Sequence, residues 1–164
     1  MKTRYAQFES RFGELLAIAR DGRLAGLYFV GQKDQPELDA PGGESAVRDD
    51  DWPVLAATRR QVAEYEAGRR TVFDLPLGLE GTDFQRRVWA QLLEIPYGQT
   101  RSYAQVARAA GSPRGVRAAG AAIGRNPVSI IVPCHRVVGS DGSLTGYTGG
   151  IERKRALLRH EAVR

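Results

Sequence analysis

Three short apolar runs open the chain, at residues 5–9, 15–19 and 24–30 (LAGLYFV). Each has strand length, and each is bounded by turn residues. Residues 11–13 make the first turn, and Asp21-Gly22 makes the second, a dipeptide suited to a tight hairpin. The pattern predicts a small antiparallel sheet. Residues 32–51 (QKDQPELDAPGGESAVRDDD) then break it. They are acidic, rich in Pro and Gly, and nearly devoid of large apolar side chains, which predicts a long exposed loop. Over 53–68 Leu55, Val62 and Tyr65 recur at helical spacing, and Gly68 closes the run. A short strand is expected at 71–75. The stretch LPLGLEG (75–81) reads as a linker. The expected organisation is a domain at 1–76, a linker at 77–81 and a second domain at 82–164.

The second domain reads as mostly helical. Thr82 followed by Gln85 is a capping box, and Phe84, Val88, Trp89, Leu92 and Leu93 form the apolar stripe behind it. Pro96-Tyr97-Gly98 ends that helix. Ser102 caps a short helix over 103–110, Gly111-Ser112-Pro113 turns, and a further helix is expected over 114–124. Two short helices about a four-residue, glycine-containing turn have the form of a helix-turn-helix. The fold class expected is α+β: a small antiparallel sheet with a helix, then a helical domain carrying the helix-turn-helix.

The second helix of that motif, RGVRAAGAAIG, is unusually smooth. Ala118, Ala119, Ala121 and Ala122 sit beside Gly115, Gly120 and Gly124. Each glycine costs a helix about 1 kcal/mol against alanine. Small residues let a backbone lie close to another surface, and one long cation, Arg117, projects from it. A helix reading base edges in the major groove carries several polar side chains. This face suits the minor groove, with Arg117 inserted; tight helix–helix packing explains the same composition.

Charge sharpens the picture. The net charge is +5, but residues 1–81 carry −3 and residues 82–164 carry +8. A basic second half points to a polyanion, most often nucleic acid. Only Lys2, Lys33 and Lys154 are lysines, so the cations are overwhelmingly arginine. No apolar run approaches the ~20 residues that span a bilayer. The start, MKTRYAQFES, has no apolar signal core. One cysteine forms no internal disulfide, so a cytoplasmic protein is expected.

That cysteine, Cys134, stands directly before His135, one of two histidines. It follows SIIVP, and residues 129–132 read as a buried strand. Successive side chains on a strand point to opposite faces, so a direct Cys134–His135 contact requires the chain to turn; a bridging water is the alternative. Thiolate is the nucleophile, and a histidine base or nearby cation such as Arg136 raises its fraction. A histidine base needs a third group to fix its tautomer. The acidic residues available in this half are Asp83, Glu94, Asp141, Glu152 and Glu161, the last just beyond a helix over 152–160. His160, on the polar end of that helix, reads as solvated.

The run NPVSIIVPCHRVVGSDGSLTGYTGGIERKRALLRHE resembles the O6-alkylguanine-DNA alkyltransferases, the methylated-DNA–protein-cysteine methyltransferases. PCHRV is highly specific for that family and its close relatives. The upstream stretch GTDFQRRVWAQLLEIPYGQTRSYAQVARAAGSPRGVRAAG is similar as well, so the likeness covers residues 81–161. It implies a reaction in which Cys134 takes the alkyl group from O6 of a guanine flipped out of duplex DNA and keeps it as a thioether. No cofactor and no metal take part, and each molecule acts once.

By the same resemblance His135 is the base through a water, Glu161 orients it, and Asn126 supports that network and the preceding turn. Tyr103 donates a proton or hydrogen bond to the departing guanine and crowds the rotating phosphate. Arg117 fills the stack the base vacates. Ala118, Gly120, Ala121, Arg125 and Ser140 complete the expected DNA-contacting set. Tyr147 packs on the base, the Thr148 amide faces O6, the Cys134 and Val137 carbonyls accept from the exocyclic amine, and Ser129 forms a pocket wall. Some members carry proline where Ser129 stands, and some reverse the Gly124-Arg125 order. A zinc site found in some relatives is excluded, because Cys134 is the lone cysteine. The partner implied is double-stranded DNA containing O6-alkylguanine, bound by a monomer able to cluster along DNA. Two other classes remain: a DNA-binding lesion sensor of the same fold without transfer, and a thiol hydrolase.

Overall fold

The computed structural model describes residues 3–38 and 45–162. The chain divides into two compact units, Met1–Leu79 and Glu80–Arg164. The fold is α+β.

In the first unit β1 (Thr3–Phe8), β2 (Leu15–Arg20) and β3 (Arg23–Phe29) form an antiparallel meander, Tyr5 facing Ile18 and Leu15 facing Phe29. Asp21 (φ 55°) and Gly22 (φ 74°) both take positive φ, the conformation that a two-residue hairpin turn of matching twist demands. β2 lies inside the sheet, between β3 and β1; Leu15, Leu16, Ala17, Ile18 and Ala19 are all buried. The helix α1 (Pro53–Glu66) packs on the sheet through Val54, Leu55, Val62 and Tyr65.

The expectations for residues 32–51 and 71–75 are corrected here. The loop expected at 32–51 contains β4 (Ala46–Arg48), which adds to β1 in parallel, so the sheet is mixed rather than wholly antiparallel. Residues 39–44 of that loop lie outside the described residues. The strand expected at 71–75 does not form. Its backbone is taken instead by the α1 side chain Gln61, whose Nε2 donates to the Asp74 carbonyl and whose Oε1 accepts from the Asp74 amide, both at 2.9 Å. Phe73 meanwhile packs on Tyr65 with ring centroids 5.5 Å apart.

The second unit starts with α2 (Asp83–Leu93). Thr82 and Gln85 form the full capping box, and Val88, Trp89 and Leu92 are buried. Trp89 Nε1 donates to the Ala122 carbonyl at 2.8 Å. The short strand β5 (Arg101–Ser102) leads into α3 (Tyr103–Ala109), capped by a second box from Ser102 and Gln105. The following helix α4 runs Val116–Gly124, two residues later than expected, because Ser112-Pro113 drives a turn in which the Gly115 amide donates to the Ser112 carbonyl. The helix-turn-helix connection thus spans 110–115 rather than four residues. α4 packs on α2 and α3 through Ala119, Ala122 and Ile123. After it come a 3-10 turn at Cys134–Arg136, β6 (Val137–Val138, parallel to β5) and α5 (Ile151–His160). No helix among the described residues is long and apolar enough to cross a membrane.

Candidate active site

The segment expected as a strand at 129–132 is not one. Ile130 has φ 69°, and the Ile131 amide donates back to the Ser129 carbonyl at 2.7 Å, a γ-turn of the positive-φ kind that is rare and strained. A β-branched residue in that region is a genuine outlier. Pro133 (φ −83°, ψ 65°) makes an inverse γ-turn, with the Cys134 amide bonded to the Val132 carbonyl at 2.8 Å. Asn126 holds this double turn. Its Nδ2 donates to the Val132 and Val128 carbonyls at 2.8 and 3.3 Å, and its Oδ1 accepts from the Val128 amide. The side chain occupies acceptors a neighbouring strand would otherwise take. The chain then winds into the 3-10 turn, so Cys134 and His135 are not on a flat strand.

Behind the thiol lies a charged network. His135 Nε2 meets Glu161 Oε2 at 2.8 Å, while Arg136 Nε and Nη2 donate to the two Glu161 oxygens at 2.7 and 3.0 Å. Arg136 Nη1 reaches the Ile95 carbonyl at 2.7 Å. All three side chains are buried. A carboxylate held by a guanidinium is an acceptor, so Nε2 carries the proton, and the lone pair sits on Nδ1. Nδ1 is buried and has no hydrogen-bond partner among the described residues. It is the atom able to take a proton.

In front of the thiol is a cavity of about 240 Å³, lined by Tyr103, Gly120, Ile123, Cys134, Tyr147 and Thr148 with glycines 124 and 146. That is below the ~300–1,000 Å³ of drug-sized pockets, a size suited to one planar ring system. Thr145 Oγ1 donates to the Tyr103 hydroxyl at 2.9 Å, and Thr148 Oγ1 to the Gly124 carbonyl at 2.8 Å. The buried Tyr147 hydroxyl has no hydrogen-bond partner among the described residues.

The expected site residues thus divide. Cys134, Tyr103, Gly120, Tyr147 and Thr148 share the cavity; His135, Glu161 and Asn126 stand behind it. Arg117, Ala118 and Ala121 are exposed on α4, Arg125 is exposed at its C-cap, and Ser140 is exposed after β6. Ser129 and Val137 are buried and do not border the cavity; the Val137 amide donates to the Cys134 carbonyl. His160 is partly buried, its carbonyl near the Tyr97 hydroxyl at 3.5 Å. Sequence reasoning missed Ile123 and Gly146, the full engagement of Arg136, and the buried Lys154.

Burial raises the Cys134 thiol above its ordinary range; the Asn126 side chain and then Lys154 oppose it. Burial lowers His135, with Glu161 pulling the other way. The resting pair is therefore neutral thiol and neutral imidazole. Because the folded state binds a proton at His135 more weakly than the unfolded chain does, acid favours unfolding. This contribution is complete above pH ~6.5 and is lost as pH falls below it. Thermal melts from pH 7.5 to 5.5 should show Tm falling, with the slope reduced in His135→Gln; equal slopes in the two proteins would refute the assignment.

A helix-turn-helix set beside a small cavity with a buried thiol at its wall has the form of a protein that acts on DNA. Residues 83–163 match the family model for the DNA-binding domain of 6-O-methylguanine DNA methyltransferase. The chain is 45% identical to a Mycobacterium tuberculosis methylated-DNA–protein-cysteine methyltransferase, over 98% of this chain and 93% of the relative. It is 43% identical to the constitutive Bacillus subtilis enzyme of that name, over 97% and 95%. Among solved structures, Mycobacterium tuberculosis OGT in complex with DNA superposes with a TM-score of 0.84 at 45% identity, covering 96% of this chain and 92% of the other. The chain belongs to the methylated-DNA–protein-cysteine methyltransferases.

Proposed function

We propose that this protein repairs O6-alkylguanine in double-stranded DNA by moving the alkyl group irreversibly onto Cys134, once per molecule. The observation that carries this reading is the placement of the Cys134 thiol at a ring-sized cavity, with the unpartnered His135 Nδ1 in the same buried turn and Glu161 fixing its tautomer. His135 takes the thiol proton, through one water. A sulfur lone pair then forms the C–S bond as the C–O6 bond breaks, and the bonding pair stays on the purine. The purine takes up a proton, with the Tyr103 hydroxyl as donor at the cavity wall. Thr145 donates to that hydroxyl, which leaves the phenolic proton available. The product thioether has no good leaving group, so the chain is spent. A cytoplasmic location, where a single thiol stays reduced, fits this work.

The base reaches the cavity only by leaving the stack, at a cost of a few kcal/mol. Exposed Arg117 and the small residues Ala118, Gly120 and Ala121 form the α4 face that approaches the minor groove. Arg117→Ala should slow transfer from duplex DNA ~10–100-fold, because the inserted side chain offsets part of that cost. Transfer from free O6-methylguanine should be unaffected. Equal slowing on both substrates would remove Arg117 from base flipping.

The direct test is intact-mass analysis after incubation with excess O6-methylguanine duplex. One added methylene unit on the peptide holding Cys134, and no further turnover, supports the proposal. An unmodified chain that still binds the duplex would make it a lesion sensor, and multiple turnovers would make it a hydrolase.

A further inference from the structure

The turn Pro96-Tyr97-Gly98 lies against the buried Arg136–Glu161–His135 network. Just before it, the Ile95 carbonyl accepts from Arg136 Nη1 at 2.7 Å. The Arg136 guanidinium carbon stands 5.8 Å from the centre of the Tyr97 ring, the spacing of a cation–π contact. The Tyr97 hydroxyl is 3.5 Å from the carbonyl of His160, the last residue of α5. Gly98 has φ 79°, and a Cβ there would stand 3.4 Å from the Glu161 carbonyl, so the turn and the α5 C-cap are in close contact. Arg136, Glu161 and His135 are 6%, 2% and 0% exposed, whereas Tyr97 is half-buried. The ring thus has the guanidinium on one side and solvent on the other. Burial and then the Glu161 charge raise its phenol above the ordinary range, against Arg136, so it faces the network as a neutral group.

We propose that Tyr97 is the cover of this network, a positioning residue whose ring keeps water from Glu161 and so holds His135 in the one tautomer and orientation that can take the Cys134 proton. The inference deepens the alkyl-transfer reading above and rests on it for its kinetic part. Tyr97 does not border the cavity and touches no substrate atom. Its effect passes through Arg136 and Glu161. Hydrogen bonds to a buried carboxylate are strong because water does not compete for it. The Nε2–H of His135 is anchored on Glu161 Oε2 at 2.8 Å, which leaves the lone pair on Nδ1. Water admitted beside Arg136 competes for both oxygens of Glu161. The imidazole then exchanges its proton with solvent, and a fraction of the molecules carries the proton on Nδ1. Such a molecule offers a donor where the thiol needs an acceptor. The ring face serves this purpose without adding a charge or a hydrogen-bond acceptor to the network, and the phenol hydroxyl points to the α5 end instead.

The test compares Tyr97→Ala, which removes the cover, with Tyr97→Phe, which keeps the ring. The first readout does not involve alkyl transfer: exchange of the His135 Nε2–H proton with water, followed by NMR. The chain has only one other histidine, His160, so the signal is assigned directly. In the parent and in Tyr97→Phe this proton should be protected; in Tyr97→Ala its exchange should quicken by ~10-fold or more, as a local opening requires. The second readout is single-turnover transfer from O6-methylguanine duplex. It should fall ~10-fold in Tyr97→Ala, a part of the ~10²–10⁴-fold that a general base contributes, and hold in Tyr97→Phe. DNA affinity should be unchanged in both. If Tyr97→Ala does not fold, Tyr97→Gln, which keeps length without a ring, is measured in its place with the same expectations. A proton as protected without the ring as with it overturns the proposal. So does fast exchange with the parent's transfer rate, or a Tyr97→Phe protein as slow as the alanine variant. If the unsubstituted chain acquires no methyl group, the alkyl-transfer reading fails, while the exchange result stands by itself.

Discussion

Cys134→Ser is expected to bind alkylated duplex as tightly as the parent chain and to gain no mass. The side chain is only 8% exposed and its backbone is fixed by the Pro133 turn, so the smaller hydroxyl occupies the same place. Burying it costs about 1–3 kcal/mol where its hydrogen bonding is incomplete. The chemistry suffers far more. An alcohol ionises many pH units above a thiol, and a neutral imidazole is too weak a base to bridge that gap. In the proposed reaction His135 assists a group that needs modest assistance; it cannot make an alkoxide. Fluorescence anisotropy on duplex DNA and intact mass are the two readouts. A methyl group found on the serine variant would displace sulfur from the centre of the mechanism.

Glu161→Gln is expected to damage stability and rate together. The carboxylate accepts from three donors, His135 Nε2, Arg136 Nε and Arg136 Nη2, with all partners buried. An amide offers one oxygen, and its nitrogen is a donor facing donors. It also leaves the Arg136 guanidinium uncompensated in the interior. Breaking such a pair from one side costs ~3–5 kcal/mol. The imidazole loses the anchor that places its lone pair on Nδ1, so transfer should fall by about 10²–10⁴-fold, the scale of a lost general base. Urea midpoints and single-turnover rates measure the two effects. Glu161→Asp should recover part of the rate. A glutamine variant as stable as the parent would show that the network contributes nothing to the fold.

The hairpin, α2 and α3 were legible because their signals are local. Asp21-Gly22 demands its turn, and Thr82 with Gln85, or Ser102 with Gln105, satisfies a helix end within four residues. Residues 71–75 and 129–132 misled for the converse reason. Each has strand composition, yet its backbone partners are side chains, Gln61 from α1 in one case and the nearby Asn126 in the other. Composition cannot report a backbone group satisfied by a side chain rather than by a strand. The Cys134–His135 pair was visible as a motif, whereas the choice of Glu161 among five acidic residues needed the fold. Lys154 did leave a trace. In an arginine-rich chain it breaks the preference, and it sits where the α5 stripe of Ile151, Leu157 and Leu158 calls for an apolar residue. The charged residues around it hide that stripe in the sequence.

The burial of the thiol has a meaning beyond reactivity. In the proposed reaction the sulfur is used once, so it is worth keeping intact until a lesion arrives. Peroxide and other small oxidants attack exposed, low-pKa cysteines first, and sulfinic or sulfonic products do not revert by ordinary thiol exchange. Cys134 is shielded and neutral at rest. The same wall that slows ionisation therefore gives the molecule a long shelf life, and its working stock declines with damage repaired rather than with age.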